Sequence, residues 1–452
     1  MPKIDTLLYE YEQKALPFSS EDEAERRKAF RLLEAKLETI WKKNDYYGDT
    51  GKVKESLQQF LRLNYRDYSV QANQYVGIIQ TNGIRMVLLP KIFRSSVMET
   101  EEERIEEASA DLLYMLSYAE NLKPPRSDGG PLKKQKHQDF FELFIYLFAS
   151  ETWKTLDREV YRAYESVEED LPMVKGSIMF AEHFKRNVCT AKLQRTACRY
   201  DVFQEDNSFN RVLKYVTRCL LAVSRNSENK RLLRNILAML VDVTDVQCCY
   251  EDTERIVFNS TQKEWIPILH YCRLFLRHSL VSLRSHSVEV FCFLINMNVL
   301  FEGFIAGFLK KHMKEWKVEV QKSNMSVACD EAGRDVFQMQ HDFFLSQGER
   351  QIIVDTKYKP TRFTEKDAGI SQSDVYQLAV YAVRRGVKDV ILLYPKYTGD
   401  SGTEHRTFTI TESFSGQDIS LHCFKIDLTE LPLLKRDKDQ FVKKQLEKMI
   451  AV

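Results

Sequence analysis

Apolar and polar positions divide the chain into three stretches with different periodicities. In the first stretch, alternating apolar residues at 75–80 and 85–89 flank Asn82-Gly83, a pair typical of tight β-hairpin turns. A charged helix is predicted before this hairpin, because Ser20 and Glu23 have the spacing of a capping box. The first hundred residues are therefore predicted to form a small mixed module of helix and strands.

The middle stretch has mainly helical periodicity. A helix is predicted over 102–122, and residues 139–290 are predicted to be mostly helical, with a β interruption at 175–184 and an apolar helix at 271–283. Between them, residues 123–137 contain prolines, glycines and five cations, a composition that predicts an exposed loop. This loop is either a solvated connector or a basic contact with DNA or a partner.

Helices and short strands alternate in the last stretch. After a helix that contains Glu302, the pattern predicts a hairpin over 335–358, a helix over 373–385 and a strand over 388–395. Two further strands are predicted at 406–411 and 419–428. A strand, a crossover helix and a second strand form a βαβ-like unit. We therefore expect a mixed sheet in this part of the chain.

Length and periodicity together predict an α+β multidomain protein. A chain of 452 residues exceeds one ordinary core. The changes of periodicity place an N-terminal mixed helix/β module at 1–105, a mostly helical middle domain at 106–285, and a C-terminal α/β core with a mixed sheet at 286–452.

Charge and cysteine content exclude several classes of protein. Lys and Arg number 66 against 65 for Asp and Glu, so any grip on DNA must come from a local patch or from a partner. Nine cysteines without a Cys-x-x-Cys pair argue against a disulfide framework and a zinc site. The chain starts without an apolar signal core and has no apolar run long enough to span a membrane. We therefore expect a cytoplasmic protein.

Two aspartates stand out in the predicted hairpin of the last stretch. If Ser346 pairs with Gln351 around a four-residue loop, counting along the ladder places Asp342 opposite Asp355. Like charges in such a position repel each other. A cation between them would remove the repulsion, and all-carboxylate sites usually bind a hard cation such as Mg²⁺ or Mn²⁺. Strand alternation also places Lys357 on the same face as Asp355, roughly 6.6 Å further along.

Three other residues are candidates for the same site. Gln377 and Tyr381 lie four apart on a helix whose buried stripe is predicted to be Val375, Leu378, Ala379, Ala382 and Val383, so both are expected on a different face, at the edge of the site. Glu302 is an isolated acid among apolar residues, where it needs a partner or a metal. The alternative is that Glu302 is an ordinary acid at the surface edge of its helix.

The order Glu302, Asp342, Asp355-x-Lys357 and Gln377-x-x-x-Tyr381 resembles the PD-(D/E)xK nuclease superfamily, and the last element resembles its RecB-type branch. His341 stands where the superfamily name implies proline, and we expect it to cap the strand end. The whole chain resembles a narrower family, McrC, the nuclease subunit of the McrBC modified-cytosine restriction system. The additional matching segments are residues 75–79, 88–92, 111–119, 175–181 and 205–211.

This resemblance implies a restriction-endonuclease-like core and Mg-dependent hydrolysis of phosphodiester bonds in double-stranded DNA. Asp342, Asp355, Glu302 and the Thr356 carbonyl would hold one or two metal ions, Lys357 would orient or deprotonate the attacking water, and Gln377 and Tyr381 would position the phosphate backbone. The predicted catalytic residues are therefore Asp342, Asp355, Lys357, Gln377 and Tyr381.

The resemblance also implies a partner, an McrB-like AAA+ GTPase hexamer that reads the DNA site. The N-terminal half of this chain would dock on it and stimulate it, and complexes would pair for double-strand cutting. GTP is expected on the partner and not on this chain, because Val53 replaces the Ser or Thr of a phosphate loop at 46–53. The alternatives are a stand-alone RecB-like repair or recombination nuclease and a non-catalytic activator of an AAA+ ring.

Overall fold

The computed structural model describes residues 4–17, 23–43, 60–81, 84–93, 100–119, 140–284, 287–320, 326–332, 334–339, 341–397, 400, 403–411, 418–429, 431 and 435–451. The chain forms two compact units, of which the first comprises Met1–Phe144, His278–Ser285 and Glu289–Val452 and the second comprises Ile145–Arg277 and His286–Val288. The predicted boundaries at 105 and 285 do not coincide with these units. Separate functions for three regions remain a prediction.

A five-stranded sheet forms the N-terminal part of the first unit, with the order β1-β6-β5-β11-β10. Its strands are β1 (Ile4–Tyr9), β5 (Tyr75–Thr81), β6 (Ile84–Leu89), β10 (Ser279–Arg284) and β11 (Ser287–Asn296). Thr81 pairs with Ile84 in the β5–β6 hairpin, so the predicted hairpin is confirmed. Asn82-Gly83 lies outside the described residues, as do Ser20 of the predicted capping box and the loop at 123–137.

The apolar helix predicted over 271–283 is wrong at its C-terminal end. The helix ends at His278, and the following residues form β10 of the N-terminal sheet. Short apolar runs fit a strand and a buried helix equally well. Pairing of β10 with β11, which itself pairs with β5 of the N-terminal sheet, decides between the two.

A three-stranded sheet and a helix cover one face of this module. The sheet has the order β2-β4-β3 and consists of β2 (Gln13–Ala15), β3 (Leu61–Asn64) and β4 (Ser69–Ala72). Helix α1 (Glu23–Lys43) buries Phe30, Leu33 and Leu37 against the same core as Phe60 and Met86. The mixed helix/β module predicted for the N-terminus is therefore present.

The C-terminal sheet has six strands in the order β12-β15-β16-β17-β19-β18. They are β12 (Lys317–Val320), β15 (Phe343–Gln347), β16 (Arg350–Thr356), β17 (Asp389–Pro395), β18 (His405–Ile410) and β19 (Ile419–Ile426); β13 (Ser326–Cys329) and β14 (Asp335–Gln338) form a separate pair. Strand β16 pairs antiparallel with β15 and parallel with β17. The mixed sheet and the βαβ-like unit are confirmed.

The helices of the first unit are α1, α2 (Glu101–Ala119), the start of α3 (Phe140–Leu156), α9 (Met297–His312), α10 (Gln372–Arg385) and α11 (Lys435–Ile450). A buried ion pair joins Lys438 of α11 to Asp111 of α2. Asp439 accepts hydrogen bonds from the hydroxyls of Tyr114 at 2.9 Å and Tyr118 at 2.7 Å. The 111–119 segment, singled out in the sequence, thus holds helices together.

The second unit contains more β structure than the sequence pattern predicts. Its helices are the rest of α3, α4 (Phe180–His183), α5 (Ser208–Val223), α6 (Ser227–Met239), α7 (Tyr250–Glu254) and α8 (Ile266–His278). Its sheet is β7 (Ala163–Leu171), β9 (Thr196–Gln204) and β8 (Ser177–Ile178). The prediction of a β interruption at 175–184 alone is wrong, because β7 and β9 alternate without a consistently apolar face.

The 205–211 segment has a structural role in this unit. Asn207 caps α5 by accepting a hydrogen bond from the Asn210 backbone. Asp206 forms an ion pair with Arg211 at 2.8 Å and accepts hydrogen bonds from Thr244. Side-chain caps of this kind stabilise helices by about 1 kcal/mol.

Among the described residues, no helix is both long and apolar enough to cross a membrane.

Helices α2 and α9 approach each other closely at two glycines. A Cβ atom at Gly307 would lie 2.3 Å from the Tyr118 carbonyl oxygen, whereas a Cβ atom at Gly303 would meet the Ala119 Cβ at 3.1 Å. Backbone at 2.3 Å cannot yield as a flexible side chain can, so Gly307 sets the distance between the helices.

We predict that Gly307→Ala lowers the free energy of unfolding by about 2 kcal/mol, although alanine is the better helix former by about 1 kcal/mol. Gly303→Ala is the matched control and should have a much smaller effect, because the contact it creates is less severe. Thermal or denaturant unfolding of both variants tests this. A Gly307→Ala variant as stable as the unmodified protein would contradict the close packing.

Candidate functional site

The β15–β16 hairpin has the register that the sequence predicts. Ser346 pairs with Gln351, and Phe343 pairs with Val354. The ladder also includes the pair Gln347 and Arg350, so the connection has two residues and not four. One step beyond Phe343 and Val354, this register aligns Asp342 with Asp355.

Asp342 is bound to the neighbouring strand through one of its oxygens. Its Oδ2 atom accepts hydrogen bonds from the Thr356 backbone N–H at 2.7 Å and from the Thr356 hydroxyl at 2.6 Å. In a strand, the N–H and C=O of one residue point to the same side. The Thr356 carbonyl is therefore directed toward the same edge as Asp342, where the sequence resemblance places a metal ligand.

Asp355 is buried and forms an ion pair with Lys357. Its carboxylate is 3% exposed, and its Oδ2 atom lies 2.5 Å from the Lys357 ammonium. No donor in the described part of the chain makes a hydrogen bond of regular geometry with this oxygen. Burial and the charge of Asp342 raise the pKa of Asp355 to about 6, and Lys357 partly offsets the rise.

Lys357 is held in its charged form. Burial opposes the ammonium, but the carboxylates of Asp355, Asp342 and Asp374 outweigh it and raise the pKa of Lys357. A lysine in this state can donate hydrogen bonds and offset negative charge, whereas it is a poor base. The strand ends thus combine two carboxylates and one cation within a small volume.

Glu302 lies on α9, half-buried, in the turn that also contains Phe301. The Phe301 ring contacts the Tyr358 ring at 5.9 Å, which brings this helix against the strand of Asp355 and Lys357. Within the described ranges, no group of three His, Cys, Asp or Glu side chains is placed to hold a metal. A ligand role for Glu302 therefore remains a prediction.

Gln377 and Tyr381 contact each other on α10. The Gln377 amide donates a hydrogen bond to the Tyr381 hydroxyl at 2.9 Å. Ser371 caps the helix, and Gly386 ends it in the left-handed conformation with φ of 66°.

The buried stripe predicted for α10 is confirmed at Leu378 and Ala382 but is wrong at Val383, and Tyr381 is buried with the stripe. Tyr381 is 7% exposed and belongs to the core beneath the sheet, whereas Val383 is 48% exposed. The helix is rotated because Tyr381 fills the space beside His341, with ring centroids 6.2 Å apart. Of the two residues, only Gln377 is half-buried, and its amide donates a hydrogen bond to the buried Tyr381.

His341 does not cap the strand end. It is 1% exposed, and neither ring nitrogen has a hydrogen-bond partner among the described residues. Its ring packs between Phe344 and Tyr381. Burial, with the charge of Arg385, lowers the pKa of His341 to about 4, so the ring is neutral. It acts as an apolar filler beneath Asp342.

An ion pair that the sequence pattern did not predict lies beside the site. Lys359 contacts Asp374 at 2.5 Å, and the Asp374 charge contributes to the raised pKa of Asp355. A lysine two residues after Lys357 and an acid at the start of the crossover helix were the available signals.

Behind the site, a buried acid of the N-terminal sheet contacts the same strand. Glu10 is 1% exposed, and its Oε2 atom accepts hydrogen bonds from the Tyr358 hydroxyl at 2.6 Å and from the Lys91 backbone at 3.0 Å. Burial raises the pKa of Glu10 to about 7, although the two hydrogen bonds oppose the rise. No pattern in the sequence links residues 348 positions apart.

Fold and side chains together define an α/β protein with a carboxylate–lysine site at the ends of the central strands. The family model described as "McrBC 5-methylcytosine restriction system component" matches residues 70–395. The chain belongs to this family. The resemblance inferred from the sequence is confirmed.

Chains of two solved structures are similar to this chain. A chain of the half-complex from the tetradecameric assembly of Thermococcus gammatolerans McrB AAA+ hexamers with bound McrC is similar to this chain with a TM-score of 0.65 and 19% identity, over 98% of this chain and 100% of that one. A chain of the Thermococcus gammatolerans McrBC complex gives a TM-score of 0.48 and 22% identity, over 68% of this chain and 88% of that one. No curated protein with significant sequence similarity was found.

The raised pKa of Glu10 predicts a pH-dependent stability. The folded protein holds the Glu10 proton up to about pH 7, whereas the unfolded chain releases it near 4.5. Between these values the unfolded state binds fewer protons, so stability falls as the pH rises. Ionisation of Glu10 lowers the free energy of unfolding by about 3 kcal/mol as the pH rises from 4.5 to 7. Below pH 4.5 this effect is absent.

We predict that Glu10→Gln, which cannot ionise, removes this part of the pH dependence. Unfolding of both proteins at pH 5 and pH 8 tests the prediction. The stability of Glu10→Gln relative to the unmodified protein should increase from pH 5 to pH 8. An equal difference at the two pH values would show that Glu10 ionises normally.

Proposed function

We propose that this chain is the DNA-cutting subunit of a GTP-dependent McrBC-type restriction complex, and that it hydrolyses phosphodiester bonds with the aid of Mg²⁺ or Mn²⁺. The observation that carries the proposal is the alignment of Asp342 with Asp355, with Lys357 at 2.5 Å from the latter. Family membership supports the system, and the strand-end chemistry supports the reaction.

The donor set fits a hard divalent cation. Two carboxylates lie on adjacent strand ends, the pKa of Asp355 is raised by burial and by Asp342, and Asp355 Oδ2 has no regular hydrogen bond among the described residues. Asp342, Asp355 and the Thr356 carbonyl would hold the ion, with Glu302 as the fourth candidate. When bound, such an ion makes water a better nucleophile and offsets charge on the scissile phosphate.

Side chains of this strand end would do the remaining work. Thr356 orients Asp342 through two hydrogen bonds to one oxygen. Lys357, charged and half-buried, would orient the attacking water by hydrogen bonding and stabilise the negative charge of the transition state. Its raised pKa favours this role over removal of a proton from the water.

Gln377 would contact the DNA backbone through its amide. Tyr381 is buried, and its hydroxyl accepts the hydrogen bond of Gln377. In this arrangement Gln377 binds phosphate and Tyr381 holds Gln377 in position. Neither residue reads bases, which agrees with a system in which a partner selects the site.

The partner in this proposal is an McrB-like AAA+ GTPase hexamer, which binds the GTP. The similar Thermococcus gammatolerans structure contains McrB AAA+ hexamers with bound McrC. Its assembly is tetradecameric, so we extend the proposal to pairs of complexes that cut both strands of the DNA. The family match begins at residue 70, far ahead of the carboxylates, and favours this complex over a stand-alone RecB-like nuclease.

The β7–β9 sheet of the second unit is a suitable docking surface. Large apolar side chains around it are exposed to solvent, including Tyr164 (74%), Met173 (77%), Phe180 (76%) and Leu193 (75%). Exposed apolar patches of this kind commonly mark protein interfaces. This surface lies within the N-terminal half that the sequence analysis assigns to partner docking.

We predict that Asp355→Ala and Lys357→Ala each abolish DNA cutting by the complex with its GTPase partner. Loss of one electrostatic stabiliser typically costs about 3 kcal/mol, a factor of roughly a hundred or more. Asp389→Ala and Lys388→Ala are matched controls, because both residues lie at the opposite end of the neighbouring strand. GTP turnover should be unaffected in all four, and full cutting activity of either site variant would exclude the proposed chemistry.

A second prediction for the complex concerns the docking surface. Leu193→Glu should weaken stimulation of the partner's GTP turnover at least tenfold at limiting concentration, because it places a charge in an apolar interface. Val257→Glu, also in the second unit and 83% exposed, is the control and should have no effect. Titration of each variant against the partner distinguishes them. Equal stimulation by both variants would exclude this surface.

A further inference from the structure

Tyr358 lies just beyond the end of strand β16, directly after Lys357. The two side chains contact different groups: Lys357 forms an ion pair with Asp355, whereas Tyr358 contacts Glu10. The Tyr358 ring packs against Phe301 and against Tyr397, with centroids 5.9 and 6.1 Å away. Its hydroxyl donates a hydrogen bond to Glu10 Oε2 at 2.6 Å.

Glu10 is itself fixed by the N-terminal sheet. Its backbone N–H donates to the Leu89 carbonyl at 3.0 Å, and Lys91 donates its backbone N–H to the carboxylate at 3.0 Å. These bonds continue the parallel pairing of β1 and β6. The acceptor for Tyr358 is therefore part of a rigid sheet edge and not of a loose side chain.

Each residue from Asp355 to Lys359 has a different anchor. Thr356 binds Asp342, the Lys357 backbone donates to the Leu393 carbonyl at 2.9 Å, and Lys359 contacts Asp374. Strand β16 ends at Thr356, so the backbone beyond it is held by the Lys357 N–H bond to Leu393 and by side-chain contacts. Tyr358 provides the one that comes from the N-terminal sheet.

We propose that the Tyr358–Glu10 hydrogen bond positions Lys357, so that the N-terminal sheet holds the cutting site in its working geometry. This inference rests on the proposed nuclease function for its catalytic consequence. Misplacement of a reacting group by about 1 Å can lower a rate a hundredfold. Tyr358 and Glu10 are therefore positioning residues, which touch neither DNA nor metal.

Tyr397 offers a matched control for the test. It is a buried tyrosine beside Tyr358, but its hydroxyl has no hydrogen-bond partner in the described part of the chain. Tyr358→Phe and Tyr397→Phe remove the same atom from the same cluster. They differ in whether a hydrogen bond to Glu10 is lost.

The first experiment measures amide hydrogen exchange of the full chain in the segment 356–359. Tyr358→Phe and Glu10→Leu should accelerate exchange there at least tenfold, whereas Tyr397→Phe and Glu10→Gln should not. Glu10→Gln retains an oxygen that accepts from Tyr358. Equal exchange in Tyr358→Phe and Tyr397→Phe would overturn the inference, whether or not the chain cuts DNA.

The second experiment measures cutting by the assembled complex at saturating DNA and Mg²⁺. Tyr358→Phe should lower the maximal rate about tenfold, with unchanged GTP turnover and with the fold retained at the assay temperature, and Glu10→Gln should restore the rate relative to Glu10→Leu. A loss in Tyr358→Phe that matches that in Tyr397→Phe would overturn the positioning role. An unmodified complex that does not cut would instead exclude the proposed function, and the exchange comparison would still decide the inference.

Discussion

Repulsion between two carboxylates at the ends of adjacent strands is the constraint on which the candidate site depends. The hairpin register aligns Asp342 with Asp355, and burial of Asp355 strengthens the repulsion, as its raised pKa indicates. Thr356 and Lys357 compensate in part, one through two hydrogen bonds and the other through an ion pair. A buried charge without compensation destabilises the folded state by more than these hydrogen bonds and this ion pair stabilise it. The arrangement is thus costly to folding and suited to a divalent cation.

The rest of the first unit stabilises this strand end from several sides. Helix α10 supplies Asp374 for Lys359 and buries Tyr381 beside His341. Helix α9 packs Phe301 against Tyr358, and its own position is set by the close approach of Gly307 to α2. The N-terminal sheet adds Glu10. The candidate site depends on all of these elements, so the smallest part of the chain that contains the complete site is the first compact unit.

Residues that mark the family in the sequence have two kinds of role. Asp342, Asp355 and Lys357 lie together where chemistry is feasible. By contrast, the 111–119 segment forms a buried ion pair, and the 205–211 segment forms a helix cap and a half-buried ion pair that hold helices in place. The exposed apolar surface of the second unit is a separate feature, since its side chains contribute little to any core. Motifs in one family can therefore reflect stability as well as activity.

Local patterns in the sequence determined the parts of this protein that depend on neighbours along the chain. The β15–β16 register, the βαβ-like unit, the caps of α10 and the alignment of Asp342 with Asp355 follow from alternation and turn residues within some fifty positions. The tertiary structure decided which segments joined the N-terminal sheet, because the apolar run at 279–284 fits a helix or a strand until β11 pairs with it. It also decided the rotation of α10, since an amphipathic tyrosine can face either the core or the solvent. The contact of Tyr358 with Glu10 spans 348 positions, and only packing in three dimensions could bring a buried acid to the strand of the candidate site.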